Sequence, residues 1–98
     1  MSEKPDIHEL KTDSKVYWDV VQGGKNFEIR KNDRDFKVND ILVLRETENT
    51  GSEMKSGASL KYTGFKSNVK VKYILQGPIY GLKDGWVIMA IERILESH

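Results

Sequence analysis

The residues with the clearest chemical potential lie together between positions 23 and 34, in the stretch GGKNFEIRKNDR. The two glycines at its start allow a ligand to come close to the backbone. Lys25, Glu28 and Arg30 follow at short spacing, and such side chains could together hold a phosphate and a base edge or sugar hydroxyl. The alternative is an ordinary surface ion pair beside a strand, which contributes at most about 1 kcal/mol.

The sequence pattern predicts a helix before the glycines and a strand after them. Polar residues 12–14 offer N-cap side chains, and the apolar residues of 15–22 recur at helical spacing. Residues 25–31 alternate between polar and apolar, which predicts a half-buried strand whose polar face, with Glu28 and Arg30, meets solvent or lines a cleft. A P-loop lysine opens a helix instead, so this stretch is not a P-loop.

The rest of the chain reads as short strands separated by turns. Predicted strands cover residues 7–11, 41–44, 60–63, 67–76 and 86–94, and a long polar loop that we expect to be mobile covers 47–59. With one main helix after the first strand, this order predicts a small α+β domain on a curved, mostly antiparallel sheet or barrel of five or six strands. We expect a single domain over residues 1–98, with flexible ends at 1–6 and 95–98.

Composition limits the kinds of site that the chain can carry. Its 98 residues include two histidines and no cysteine, which excludes disulfides, cysteine-based zinc sites, iron–sulfur clusters and thiol catalysis. Two histidines cannot build a multi-histidine metal site, so we expect no metal and no cofactor. The longest apolar run, residues 86–91, is far below the roughly 20 residues that span a bilayer. We expect a soluble, cytoplasmic protein that does not enter membranes and is a monomer.

The formal net charge of +1 hides an uneven distribution of charge. Residues 55–83 contain six lysines and no acidic residue, so the remainder of the chain carries a net charge of −5. Such a segment is either a solubilising face or the contact surface of a polyanion. Lys70 and Lys72 are predicted to lie on one face of a strand, opposite Val69, Val71, Tyr73 and Leu75, where they could follow a phosphate backbone.

Three ring-bearing side chains are interpreted from their positions in these predicted elements. His8 on the first strand is expected to be a hydrogen-bonded structural residue, with a ligand contact as the alternative. Trp18 falls away from the apolar stripe of the helix and could stack on a base. Trp86 heads an apolar run and is expected in the core.

The motif Gly23-x-Lys25-x-x-Glu28-x-Arg30, between a short helix and a strand, resembles the signature of the ASCH superfamily, whose fold is a PUA-like β-barrel. A longer series of matches is similar to the DUF3850 group, which comprises small ASCH-like proteins of bacteria and phages. The matching positions are His8-x-Leu10-Lys11, Tyr17-Trp18, most of the stretch from Gly23 to Asp40, and Gly85-x-Val87.

The resemblance implies a cleft between helix and barrel that takes RNA or a nucleotide-like ligand, with Lys25, Glu28 and Arg30 at its centre. From the resemblance and the charge pattern together, the expected ligand-binding residues are Lys25, Glu28, Arg30, Lys31, Asn32, Arg34, His8, Lys11, Trp18, Lys70 and Lys72.

The same resemblance implies an alternative function, because some ASCH proteins are small amidohydrolases that act on N4-acylated cytidine. Their catalytic positions would correspond to Lys25 and Glu28, but a threonine stands in them where this chain has Glu28. They also draw a glutamate from a later segment, for which this chain offers only Glu92 or Glu96. Since a neighbouring carboxylate favours a charged lysine, we expect binding rather than catalysis. A third hypothesis is a protein-interaction domain of phage or bacterial origin.

Overall fold

Five strands and two helices make up residues 4–94, the part of the chain that this computed structural model describes. In chain order they are β1 (Ile7–Asp13), α1 (Ser14–Val21), β2 (Phe27–Lys31), β3 (Ile41–Thr47), α2 (Gly51–Lys55), β4 (Tyr62–Gln76) and β5 (Trp86–Arg93). The flexible ends expected at 1–6 and 95–98 fall largely outside the described residues. Asp6, which is described, is hydrogen-bonded through its backbone to Asp40 and Ile41.

The strands form one curled, half-barrel sheet in the order β1-β3-β4-β5-β2. Only the β1–β3 pair is parallel, and the other three pairs are antiparallel. The prediction of a small α+β fold with mostly antiparallel strands and one main helix after the first strand is therefore confirmed. Neither helix within residues 4–94 is long and apolar enough to cross a membrane.

The core fills the inner face of the curled sheet, against which α1 packs. It is built from buried side chains of all the strands except β2, together with Tyr17 and Val20 from α1 and Phe36. Helix α1 ends where predicted, since the N–H of Gly23 bonds to Val20 and Gly23 adopts a φ of 88°.

Side chains, rather than backbone pairing, link the two edges of the half-barrel. Edge strand β1 presents carbonyl groups toward edge strand β2. Arg30 of β2 donates from Nη1 to the carbonyl of Lys11 at 3.2 Å, and Arg34 donates to the carbonyl of Glu9 at 2.6 Å. The two guanidinium groups thus satisfy backbone acceptors that a neighbouring strand would otherwise satisfy.

Strand β4 departs from its prediction in two ways. The expected strands 60–63 and 67–76 are one strand of 15 residues. Its register against β5 shifts between Val71 and Tyr73, which marks a β-bulge at Lys72. The predicted common face is therefore wrong beyond the bulge, because Tyr73 is exposed whereas Val69 and Val71 are buried.

The predicted loop at 47–59 contains the short helix α2. Thr50 accepts from the N–H of Glu53, and the Glu53 carboxylate accepts from the N–H of Thr50. This capping box satisfies N–H groups that would otherwise lack partners at the start of a helix. The N–H of Gly51 also donates to Asp13 at 2.9 Å, which ties α2 to the end of β1.

Candidate ligand-binding cleft

A cleft of about 790 Å³ opens between the two edges of the half-barrel. Its wall includes residues 10–13 of β1, residues 27–31 of β2 and three residues of α2. Leu10, Thr12, Glu28 and Phe36 are buried at its base, whereas Phe27, Ile29 and Trp86 are exposed. A cleft of this volume, lined by both buried and exposed side chains, is of the size that holds small ligands.

The centre of the cleft is a carboxylate held between two cations. Glu28 is only 2% exposed, and its Oε1 accepts from Lys25 Nζ at 2.7 Å while its Oε2 accepts from Arg30 Nε at 3.1 Å. The alternation predicted for this strand is confirmed, and its polar face is the inner one, since Phe27 and Ile29 point outward and are 40% and 47% exposed. Glu28 and its partners are therefore not the surface pair of the alternative interpretation.

The backbone around the central lysine explains why β2 begins at Phe27 rather than at the predicted Lys25. The N–H of Lys25 donates to the carbonyl of Asp19 in α1 at 2.9 Å, so the chain is still turned toward the helix at that point. Lys25 Nζ also donates to the carbonyl of Phe27 and lies 5.0 Å from the centre of its ring. These contacts hold the ammonium group beside Glu28.

The cleft has an excess of positive charge. Six basic and three acidic side chains line it, and three of the basic ones, Lys11, Lys31 and Lys55, have no ion-pair partner among residues 4–94. These three lysines come from β1, β2 and α2. Their ammonium groups therefore surround the cleft from different elements and are available to an anion.

The structure brings six of the eleven predicted ligand-binding residues into this cleft. They are Lys11, Lys25, Glu28, Arg30, Lys31 and Arg34. The five that do not line it are His8, Trp18, Asn32, Lys70 and Lys72. Asn32 closes a turn by accepting the N–H of Phe36 on its side-chain oxygen. Lys70 and Lys72 belong to β4, which does not contribute to the wall.

His8 takes part in a buried hydrogen-bonded group outside the cleft. Its Nε2 lies 3.0 Å from Asp40, which also accepts from the N–H groups of Lys37 and Asp6. Three possible metal-binding atoms of Asp6, His8 and Asp40 lie within 4.8 Å of one another, but both oxygens of Asp40 already accept hydrogen bonds from the chain. His8 is thus hydrogen-bonded within the chain and does not line the cleft.

Trp18 is held by a second buried carboxylate on another side of the molecule. Its Nε1 donates to Glu46 at 2.7 Å, and Ser14 and Thr63 donate to the same carboxylate. The ring packs edge-on against Phe65 with 5.4 Å between the ring centres. Through Ser14 and Trp18, Glu46 fastens α1 to the sheet.

We expect the free energy of unfolding to fall at acidic pH because of the buried carboxylates of Asp40 and Glu46. Burial raises the pKa of Glu46, but hydrogen bonds from Ser14, Thr63 and Trp18 outweigh it, so the pKa lies below its ordinary 4.5. Burial likewise raises the pKa of Asp40, and the hydrogen bond from His8 and those from Lys37 and Asp6 bring it below its ordinary 3.8. The unfolded chain then binds more protons than the folded one, so stability is complete above the ordinary pKa values and is lost as pH falls through the folded ones.

Urea unfolding curves at pH 7, 5, 4 and 3 measure this dependence. Glu46→Gln should lower the free energy of unfolding at pH 7. It should also make this free energy fall less between pH 7 and pH 3, since the variant has no carboxylate at this position. The matched control is Glu48→Gln, at an exposed position two residues further along the chain. If stability falls as steeply toward acidic pH in Glu46→Gln as in wild type, Glu46 does not contribute to the acid dependence.

Several cleft residues were not singled out from the sequence. Gly51, Met54 and Lys55 fall in the predicted loop at 47–59, although the spacing of Thr50 and Glu53 is a readable capping signal. Trp86, predicted in the core, is 37% exposed and lines the cleft, so that prediction is wrong. Its place follows from the pairing of β5 with the edge strand β2, which no local pattern reveals.

A family model described as "Domain of unknown function (DUF3850)" matches residues 7–91, which is most of the chain. No curated protein matches the sequence.

Proposed function

This chain belongs to the DUF3850 family, and we propose that it is a binding module for RNA or a nucleotide-like ligand, with the cleft around Glu28 as the binding site. The proposal includes the finer assignment of the half-barrel as a PUA-like fold of the ASCH superfamily. Two features support that assignment, namely the motif from Gly23 to Arg30 and the single main helix between β1 and β2.

The observation that carries the proposal is the combination of unpaired lysines with a fixed carboxylate. Lys11, Lys31 and Lys55 lack ion-pair partners within the described part of the chain and can bind phosphate oxygens. Each oxygen of Glu28 accepts one hydrogen bond from its cations, which leaves a further lone pair for a donor of the ligand. A nucleotide offers both groups, since it has phosphate acceptors and donors on its base and sugar.

The amine at the cleft centre is held by acceptors of the chain itself. Lys25 Nζ donates to Glu28 Oε1 at 2.7 Å and to the carbonyl of Phe27. Glu92, one of the late glutamates considered for hydrolysis, lies opposite Lys70 in the β4–β5 register and does not line the cleft. The other, Glu96, lies outside the described residues. These contacts support binding over hydrolysis.

Fluorescence anisotropy with short single-stranded RNA, measured over a range of salt concentrations, tests the proposal. We expect binding at low salt that weakens steeply as salt rises, because phosphate contacts release counterions. The variant Lys11→Gln/Lys31→Gln/Lys55→Gln should reduce the slope of log K against log salt by about 2, at roughly 0.7 per lost contact on a single strand.

The matched control is Lys66→Gln/Lys70→Gln/Lys72→Gln, which removes the same charge from β4. We expect it to bind RNA within twofold of wild type. Equal losses of RNA affinity in the two variants would show that binding depends on overall positive charge and not on the cleft.

If neither RNA nor mononucleotides bind at low salt, the proposal is refuted. Turnover of N4-acetylcytidine that Lys25→Ala abolishes would replace it with hydrolysis, and a protein partner that co-purifies after nuclease treatment would replace it with an interaction role.

A further inference from the structure

Trp86 borders the cleft and is partly exposed. It is the first residue of β5, it is 37% exposed, and it lines the cleft beside β2. Its cross-strand neighbour is Lys31, and the next residue pairs on the same face are Ile29 with Ile88 and Phe27 with Ala90. The ring therefore lies on the outward face of the sheet, opposite Lys31, where the lining of the cleft continues from the inner face of the edge strand β2 to its outer face.

The two tryptophans of this chain differ in how their indole groups are used. Trp18 donates its Nε1 to Glu46 and packs against Phe65, so its position is fixed by internal contacts. Trp86 Nε1 has no hydrogen-bond partner among residues 4–94. Both tryptophans are 37% exposed, so the difference between them lies in their contacts and not in their exposure. An indole ring is a large, stiff, flat surface that a ligand can cover. Trp86 thus has the features of a contact surface for an external partner.

The charge beside the ring indicates the chemistry of that partner. Side chains directly opposite each other in an antiparallel pair have Cβ atoms about 5 Å apart. Lys31, which has no ion-pair partner in the described part of the chain, is therefore within reach of a phosphate on any molecule that covers Trp86. A flat ring beside a free cation suits a nucleotide, whose base stacks while its phosphate pairs.

We propose that Trp86 is a base-stacking subsite of the cleft, which takes the nucleobase of a nucleotide whose phosphate contacts Lys31. This inference rests on the proposed nucleotide-binding function and deepens it. It assigns the stacking role to Trp86 and leaves Trp18 as a structural residue. Since a base can stack through either π face, the subsite is expected to accept different bases with similar affinity.

Tryptophan fluorescence and two small probes test the subsite. AMP carries a base and a phosphate, whereas ribose 5-phosphate carries the phosphate alone. We expect AMP to quench wild-type fluorescence and ribose 5-phosphate to leave it unchanged. Trp86→Phe, which retains Trp18 and an aromatic surface, should bind AMP within a few-fold of wild type without the quenching.

Trp86→Ala should weaken AMP at least about fivefold, the lower end of the cost of losing one stacked base, and leave ribose 5-phosphate affinity unchanged. Affinities are measured by calorimetry so that they do not depend on fluorescence. Normal AMP affinity in Trp86→Ala, with no quenching in wild type, would overturn the stacking subsite while nucleotide binding stands. Failure of wild type to bind AMP and RNA at all would overturn both. Quenching that depends on protein concentration without nucleotide would instead indicate that Trp86 contacts a second copy of this chain.

Discussion

Replacing Glu28 by glutamine is expected to lower the free energy of unfolding by about 3 kcal/mol. Glu28 is buried, and both its oxygens accept hydrogen bonds from cationic donors. Glutamine keeps the shape but brings an NH₂ group toward one of the two cations, where a donor meets a donor. Lys25 and Arg30 then share the base of the cleft without the charge that balances them.

The magnitude lies at the low end for a broken buried ion pair because the two cations are not fully buried. Their side chains are 18% and 26% exposed, so each can turn partly toward water when the carboxylate is gone. Chemical denaturation measures the loss, and Glu48→Gln is the matched control with an expected change within about 0.5 kcal/mol. Similar small losses in the two variants would show that the Glu28 group contributes no more than a surface pair.

The position of Glu28 shows what the sequence could and could not predict about the site. The alternation of β2 correctly separated Glu28 and Arg30 from Phe27 and Ile29. It did not identify the inner face, because a hydrophobic pattern on an edge strand fits both a core and an exposed surface. Burial of the polar face depends on the opposite edge, β1, whose carbonyls receive Arg30, and this contact spans 19 residues of sequence.

The elements that were predicted correctly depend on neighbours in sequence. Helix α1 follows from local spacing, and its end follows from the backbone freedom of Gly23. The elements that differ depend on tertiary pairing. The bulge at Lys72 is set by the register between β4 and β5, and it moves Tyr73 to the surface against its apparent alternation.

The surroundings of the two tryptophans also depend on tertiary pairing. Trp18 looked available because it leaves the apolar stripe of α1, but Glu46 of β3 lies within hydrogen-bond distance of its ring. The apolar run predicts a buried Trp86, but β5 pairs with the edge strand β2, and its first residue, at the end of that pairing, is 37% exposed. Neither partner strand is adjacent to the tryptophan in sequence, so the local pattern does not reveal either contact.

Gly77→Ala is expected to destabilise the protein by about 3 kcal/mol or more, through a clash with backbone atoms. A Cβ at Gly77 would lie 2.0 Å from the carbonyl oxygen of Lys83 and 2.9 Å from that of Leu82. Neither atom can rotate away as a side chain can, so the segment leading into β5 must move. The N–H of Gly77 also donates to the carbonyl of Trp86 at 2.9 Å, which couples the two ends of this segment.

The displacement should therefore reach the cleft as well as the stability of the fold. Because Lys83 and Trp86 belong to the displaced segment, Gly77→Ala is expected to change the fluorescence maximum of Trp86 in addition to lowering the urea midpoint. Gly24→Ala is the matched control, since a Cβ there would meet its nearest atom, the carbonyl oxygen of Asp19, at an ordinary 3.8 Å. We expect this control to unfold within about 1 kcal/mol of wild type. If Gly77→Ala unfolds at the same urea concentration as Gly24→Ala, the close packing of residue 77 against the turn before β5 is wrong, and so is the support that this turn gives to the rim of the cleft.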